Sequence, residues 1–355
     1  MYDEAPQLKL WGFFQRSEIM YNLYLENGYL NMKAIIEMPI PFIFVIGGRG
    51  IGKTYGTLQY LMEHENVKML LLRRTQTQID LVNTPSLSPL TPTAKDLGFE
   101  FEVKKIAKNY CGLYTVEDNR LFAFTAAMST FSNVRGFDAQ SFNFIFYDEF
   151  IPERGERVNK TEGEKFVNMI ETVNRNRELQ GGKPVKVICA SNSNDIDNLI
   201  LREMNLVDIA ARMQDKKQSV YINNNRGVAV IMPKDSPISE AKAGTALYKA
   251  VSSDSDFYNM AIGNKFEHSQ NIKSEPIKEF KPIVSIGTVT IYVHKSRGYF
   301  YVSRHKAGGC TQFSTDTTSL VQFKVNYRWL IVAHMAQEVH FESLSVKQDF
   351  EKFLL

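Results

Sequence analysis

Apolar residues along the chain fall into short runs that each stop at a polar or glycine-rich break. Phe42 to Ile46 gives way to Gly47-Gly48-Arg49-Gly50-Ile51-Gly52-Lys53-Thr54, and Tyr55 to Glu63 beyond it has helical character. Val67 to Leu72 ends in Arg73-Arg74, Phe142 to Tyr147 in Asp148-Glu149, and Val185 to Ala190 in Ser191-Asn192. Such nearly continuous apolar runs, without polar alternation, predict strands buried on both faces, the condition of a parallel sheet covered by helices. Tyr110 to Val116 and Leu121 to Phe124 flank Glu117-Asp118-Asn119-Arg120, a hairpin pattern with turn chemistry in the middle. The stretch after Arg74 reads as a polar, proline-punctuated segment through Pro92.

A helix is expected where Phe166, Ile170 and Val173 recur at helical spacing behind Thr161-x-x-Glu164, a capping-box signal. Carried on at about 100° per residue, that helix places Arg177 on its apolar face and Arg175 on the opposite one. After Pro233 the chain turns small and polar, which predicts a linker with one or two short helices. A β-rich unit then begins near Lys278: a strand over Ile283 to His294, the turn Lys295-Ser296-Arg297-Gly298, and a strand over Tyr299 to Arg304. Leu320 to Gln337 and Val346 to Phe353 supply covering helices.

The break after Phe42 to Ile46 carries the chemistry. A glycine loop between strand and helix, closing in Lys-Thr, is a P-loop in its required context. Its N–H groups turn inward around phosphate oxygens, Lys53 reaches the terminal phosphates and the Thr54 hydroxyl ligates Mg²⁺. The acidic pair at the carboxyl end of a buried strand suits the other half of such a site, Asp148 in the Mg²⁺ shell and Glu149 polarising the attacking water. Ser191 and Asn192, at the end of the next strand, are candidate γ-phosphate sensors or simple loop and N-cap residues. Arg175 is a candidate trans-acting finger or a solvated surface arginine, with Arg177 as its substitute if the helix ends early.

Composition narrows the setting. The net charge of +3 is too small to identify a polyanionic partner by itself, and three cysteines and six histidines are scattered without a metal-binding spacing. The N-terminus lacks a basic-then-apolar leader pattern, and the longest apolar stretch is too short to span a bilayer, so the expectation is a protein neither secreted nor membrane-embedded.

The residues Phe44 to Tyr55, the Arg73-Arg74 pair, Asp148-Glu149-Phe150-Ile151, Asn174-Arg175-Asn176-Arg177-Glu178 and the strand ending in Ser191-Asn192 together resemble the DNA-packaging (encapsidation) ATPases of small tailed podophages of the phi-29 group. The resemblance implies an α/β fold: a P-loop ATPase of the additional-strand, conserved-glutamate class with a mainly parallel sheet over residues 1–233, a small helical linker subdomain over 234–275, and an RNase H-like α+β C-terminal domain over 276–355. It implies ATP and Mg²⁺, bound by positions 47 to 55 including Tyr55. It also implies a homo-oligomeric ring, a pentamer, that drives double-stranded DNA into a preformed procapsid at the portal vertex in the infected host's cytoplasm, with a scaffold RNA as a further partner. By the same resemblance Arg175 is the finger, Arg135 contacts phosphate or a neighbour, and Arg73 and Arg74 restrain Glu149. Gln76 stands where the related protein has a lysine. The expected first strand of the C-terminal unit carries no Asp or Glu, and Asp316, Glu338, Glu342, Asp349 and Glu351 show no compensating cluster. A nuclease shape without nuclease chemistry follows. Lys295, Arg297, Arg304 and Lys306 are then candidates for DNA, RNA or portal contact. The alternatives are a nuclease-bearing terminase, a helicase-type P-loop ATPase, or a nucleotide-gated structural adaptor.

Overall fold

The computed structural model describes residues 22–131, 139–153, 156, 159–192, 196, 198–234, 236–252, 255, 258 and 271–354. Arg135 lies outside them. The first part of the chain runs α1 (Met32–Ile36), β1 (Phe42–Gly47), α2 (Lys53–Glu63), β2 (Met69–Arg73), α3 (Gln76–Val82) and α4 (Leu90–Leu97). There follow β3 (Phe101–Ala107), β4 (Tyr110–Thr115), β5 (Leu121–Ala127), β6 (Phe144–Asp148), α5 (Glu162–Asn174) and β7 (Lys186–Asn192). Then come α6 (Leu199–Glu203), α7 (Val207–Asp215), β8 (Val220–Asn223) and β9 (Val228–Ile231).

These strands form one nine-stranded sheet in the order β3-β4-β5-β2-β6-β7-β1-β9-β8. From β5 to β9 every neighbouring pair is parallel, and antiparallel hairpins close both edges. Alternate residues of each strand serve opposite faces. Phe44, Leu70, Tyr147 and Val187 pack with α5, α6 and α7 on one side, while Ile43, Leu71, Phe146 and Ile188 meet α1, α2, α3 and α4 on the other. Both faces are therefore dry, the reason the apolar runs are continuous.

Several expectations need correction. The segment through Pro92 holds two helices, legible only through sparse apolar positions: Ile79 and Val82 in α3, Leu90 and Ala94 in α4. Strand β3 escaped notice because it is an edge strand, mostly exposed, and among the described residues pairs only with β4. The capping box at Thr161 does not form, since its hydroxyl donates to Asn159 Oδ1 at 2.9 Å; the reciprocal box is instead at Thr75 and Gln78, opening α3. Helix α5 stops at Asn174, so its phase cannot be carried to Arg177.

Beyond β9 the small polar stretch contains α8 (Pro237–Ala243) and α9 (Ala246–Ala250). The C-terminal unit contains β10 (Phe280–Ile286), β11 (Val289–His294), β12 (Phe300–Ser303), β13 (Thr311–Phe313), α10 (Thr317–Asn326), α11 (Trp329–Met335), β14 (Val339–Phe341) and α12 (Leu344–Leu354). The strand expected over Ile283 to His294 is two strands, divided at Gly287, whose φ of 53° makes the turn. The five-stranded sheet is an antiparallel meander, β10-β11-β12, with β13 and β14 added in parallel at its two edges. Helix α12 docks this unit onto the large sheet's layer: Leu344 joins the core of α7, and Asp208 accepts from the Ser345 N–H at 3.1 Å and hydroxyl at 2.6 Å.

Candidate nucleotide site

The carboxyl ends of β1, β6 and β7 converge on a cleft of about 900 Å³. Gly52 is the N-cap of α2 with φ of 97°, a left-handed conformation that a side chain resists, so the glycine loop leads directly into the helix N-terminus. Lys53 is buried, its ammonium donating to the carbonyls of Gly47 at 3.0 Å and Gly48 at 2.7 Å and to Asn192 Oδ1 at 3.3 Å. Burial lowers its pKa to about 7, opposed by Asp148 and reinforced by nearby Lys242.

Thr54 Oγ1 lies 3.1 and 3.0 Å from the two oxygens of Asp148, a buried carboxylate at the last position of β6. Burial raises the Asp148 pKa, and Arg73 pulls it back. A hydroxyl and a carboxylate at this spacing are the hard oxygen donors that Mg²⁺ takes, so the residues fit that ion.

Arg73, at the end of β2, spans the acidic pair: one nitrogen is 2.6 Å from Asp148 and another 2.5 Å from Glu149. Glu149 has φ of 56°, uncommon for a residue with a Cβ, and its half-exposed carboxylate faces the cleft. Arg74 behaves differently. Its side chain turns to the other face, where Nε and Nη2 donate to Glu162 at 3.0 and 3.2 Å and Nη1 meets Glu156. Adjacent strand residues point to opposite faces, so only Arg73 meets Glu149, and the expectation that both arginines restrain it is corrected for Arg74.

Ser191 and Asn192 both reach the cleft. The Ser191 hydroxyl accepts from the Ile151 N–H at 3.2 Å, while Asn192 holds Lys53, so the end of β7 joins the glycine loop to the acidic strand. Arg49 pairs with Glu153 at the rim, and Tyr55 donates to Asp96 at 2.9 Å. Arg175 caps α5 with φ of 42° and is exposed. Arg177 is instead engaged within the chain, donating to the carbonyls of Gln140 at 2.6 Å and Phe142 at 2.8 Å. Gln76 bonds Asp80 at 2.9 Å.

Two contributors escaped the sequence reading. The turn from Leu25 to Leu30 walls part of the cleft, with Tyr29 packed beside Gly52; its Asn27-Gly28 dipeptide was the available signal. Lys242 comes from α8, and no motif marks it.

In the C-terminal unit the basic residues are exposed, Lys295 and Arg297 at one end of β12 and Arg304 and Lys306 at the other. Asp349 pairs with Arg304 at 3.0 Å, Glu342 accepts from Ser303 at 2.9 Å, and Glu351 faces His334 at 3.0 Å. Among the described residues no three acidic, histidine or cysteine side chains gather as a metal group, and no helix is long and apolar enough to cross a membrane.

Strand β7 lies between the glycine-loop strand β1 and the acidic strand β6, and Glu149 follows Asp148 at the end of β6. That topology, with the glycine loop at the carboxyl edge of the sheet, defines an α/β P-loop fold built on a mainly parallel sheet. Residues 26–348 match the family model of the podovirus DNA encapsidation protein (Gp16), and the chain belongs to that family of phage DNA-packaging ATPases. The DNA packaging proteins of Bacillus phage PZA and Bacillus phage phi29 are each 22% identical to it over 311 residues, covering 85% of this chain and 85% of theirs. Its fold is shared with the bacteriophage phi-29 viral genome packaging motor assembly, with a TM-score of 0.66 at 18% identity over 91% of this chain and 98% of that one. The Phi-28 gp11 DNA packaging motor gives a TM-score of 0.57 at 18% identity, over 89% of this chain and 94% of that one.

Proposed function

We propose that the chain is the ATP-hydrolysing subunit of a homo-oligomeric ring, a pentamer by family resemblance, that drives double-stranded DNA through a portal into a procapsid in the infected host's cytoplasm. The observation that carries this reading is the continuous chain Thr54, Asp148, Arg73 and Glu149 beneath the glycine loop. The loop's N–H groups and Lys53 bind the phosphates, and Thr54 with Asp148 would hold Mg²⁺, which would offset phosphate charge. Glu149 orients the attacking water. Arg73, when paired with Glu149, withholds that carboxylate from water, so its release is the step that readies the site. Arg175, exposed at a helix end, serves the neighbouring subunit's site, where it stabilises charge on the transferring phosphoryl group.

Residues 234–275 act as linker and 276–355 as the attachment and guidance domain for DNA, portal or scaffold RNA, without cutting DNA. The test is ATP-dependent packaging of DNA into purified procapsids, scored by protection from added nuclease. Protection that requires ATP and the intact Glu149 is expected. ATP turnover that never rises with DNA and procapsids, with no protected DNA, would overturn the motor reading in favour of a nucleotide-gated adaptor.

A further inference from the structure

Helix α8 reaches back across the chain to the glycine loop. The Lys242 ammonium donates to the Arg49 carbonyl at 2.5 Å, and a Cβ built at Gly50 would stand 2.2 Å from that nitrogen. Gly50, with φ of 64°, therefore leaves open the space the lysine fills. The approach is anchored on both sides. Pro233 packs at Gly47, Pro237 at Gly28, and the Tyr24 hydroxyl donates to the Lys234 carbonyl at 2.5 Å.

Lys242 thus joins Arg49 and Lys53 as a third cation at the mouth of one loop. Arg49 has Glu153, and Lys53 has Asp148 close by, whereas Lys242 has no carboxylate partner among the described residues. Like charges gathered around inward-facing N–H groups repel one another until a polyanion sits among them. Burial also lowers the Lys242 pKa, and a bound phosphate would favour its charged form. Lysine's flexible stem and three rotatable donors let the same ammonium pass from a carbonyl to a phosphate oxygen without moving its backbone far.

We infer that Lys242 is a phosphate ligand supplied by the linker, contacting the outermost phosphate of the nucleotide, so that the position of α8 reports whether a triphosphate or a diphosphate is held. This rests on the nucleotide site proposed above. In sequence, α8 lies between the nucleotide site and the C-terminal unit proposed to handle DNA.

The experiment compares fluorescent ATP and ADP analogues on the wild type, Lys242→Ala and Lys242→Arg, with Mg²⁺, in the full chain. Loss of one charge-assisted phosphate contact should weaken ATP by about tenfold or more while ADP changes less than about twofold, and Lys242→Arg should recover most of the loss. Hydrogen exchange in the wild type should show residues 237–243 more protected with a slowly hydrolysed ATP analogue than with ADP. Equal weakening of ATP and ADP in Lys242→Ala, or unchanged affinity for both, overturns the inference. If Lys242→Ala does not fold, the wild-type exchange comparison decides, and equal protection by the two nucleotides overturns it. A wild type that binds neither nucleotide would sink the proposed function itself, a result distinct from loss of this contact alone.

Discussion

Replacing Arg74 with alanine strands a carboxylate in the core. Arg74 and Glu162 are each only 5% exposed, and two of the hydrogen bonds that satisfy Glu162 come from this one guanidinium, leaving the Tyr147 hydroxyl at 3.0 Å. Breaking a buried pair by deleting one partner costs about 3 to 5 kcal/mol. Position in the first turn of α5 returns roughly 0.3 to 1 kcal/mol to a negative charge. Arg74→Ala should therefore lose about 3 kcal/mol at pH 7. Urea unfolding followed by far-ultraviolet circular dichroism at pH 7 measures the loss. Arg74→Met combined with Glu162→Met, which removes both charges, should recover most of the loss. A loss under about 1 kcal/mol would refute the reasoning and reopen Arg74 as a switch residue.

Lys53→Ala should abolish nucleotide binding, whereas Glu149→Gln should bind ATP in equilibrium dialysis yet hydrolyse it slowly; wild-type turnover by Glu149→Gln in assembled rings would remove it from catalysis. Because burial holds the Lys53 pKa near 7, phosphate binding at pH 8 should draw a proton onto it, seen as net proton uptake when calorimetry is repeated in buffers of different ionisation enthalpy. Arg175→Ala should bind ATP but lose about 10³-fold or more in ring turnover, and mixed rings with Glu149→Gln should regain activity absent from either alone. No regain in verified mixed rings, with Arg175→Ala itself fully active, would return Arg175 to the surface. The full chain should leave duplex DNA intact with Mg²⁺ or Mn²⁺; cutting abolished by an acidic substitution within residues 276–355 would contradict the inactive-nuclease reading.

What could be read directly from the chain was whatever depends on residues near one another in sequence. Glycines at the loop, the Lys-Thr that follows, and apolar runs ending in Asp148-Glu149 or Ser191-Asn192 declare their backbone and burial demands locally, so the parallel sheet and the two halves of the site were legible. Elements with little apolar content were not: β3 at the sheet edge, α3 and α4 on few buried positions, and the division of Ile283 to His294 at a single glycine. The partners of charged side chains belong to tertiary structure alone. Arg73 and Arg74 are neighbours in sequence, yet the strand pleat sends one to Asp148 and Glu149 and the other to Glu162. Lys242 meets Arg49 across 193 residues because α8 folds back past the Leu25 to Leu30 turn. An ion pair depends on a few ångströms of separation, and those are set by strand order and helix docking, which local pattern does not encode.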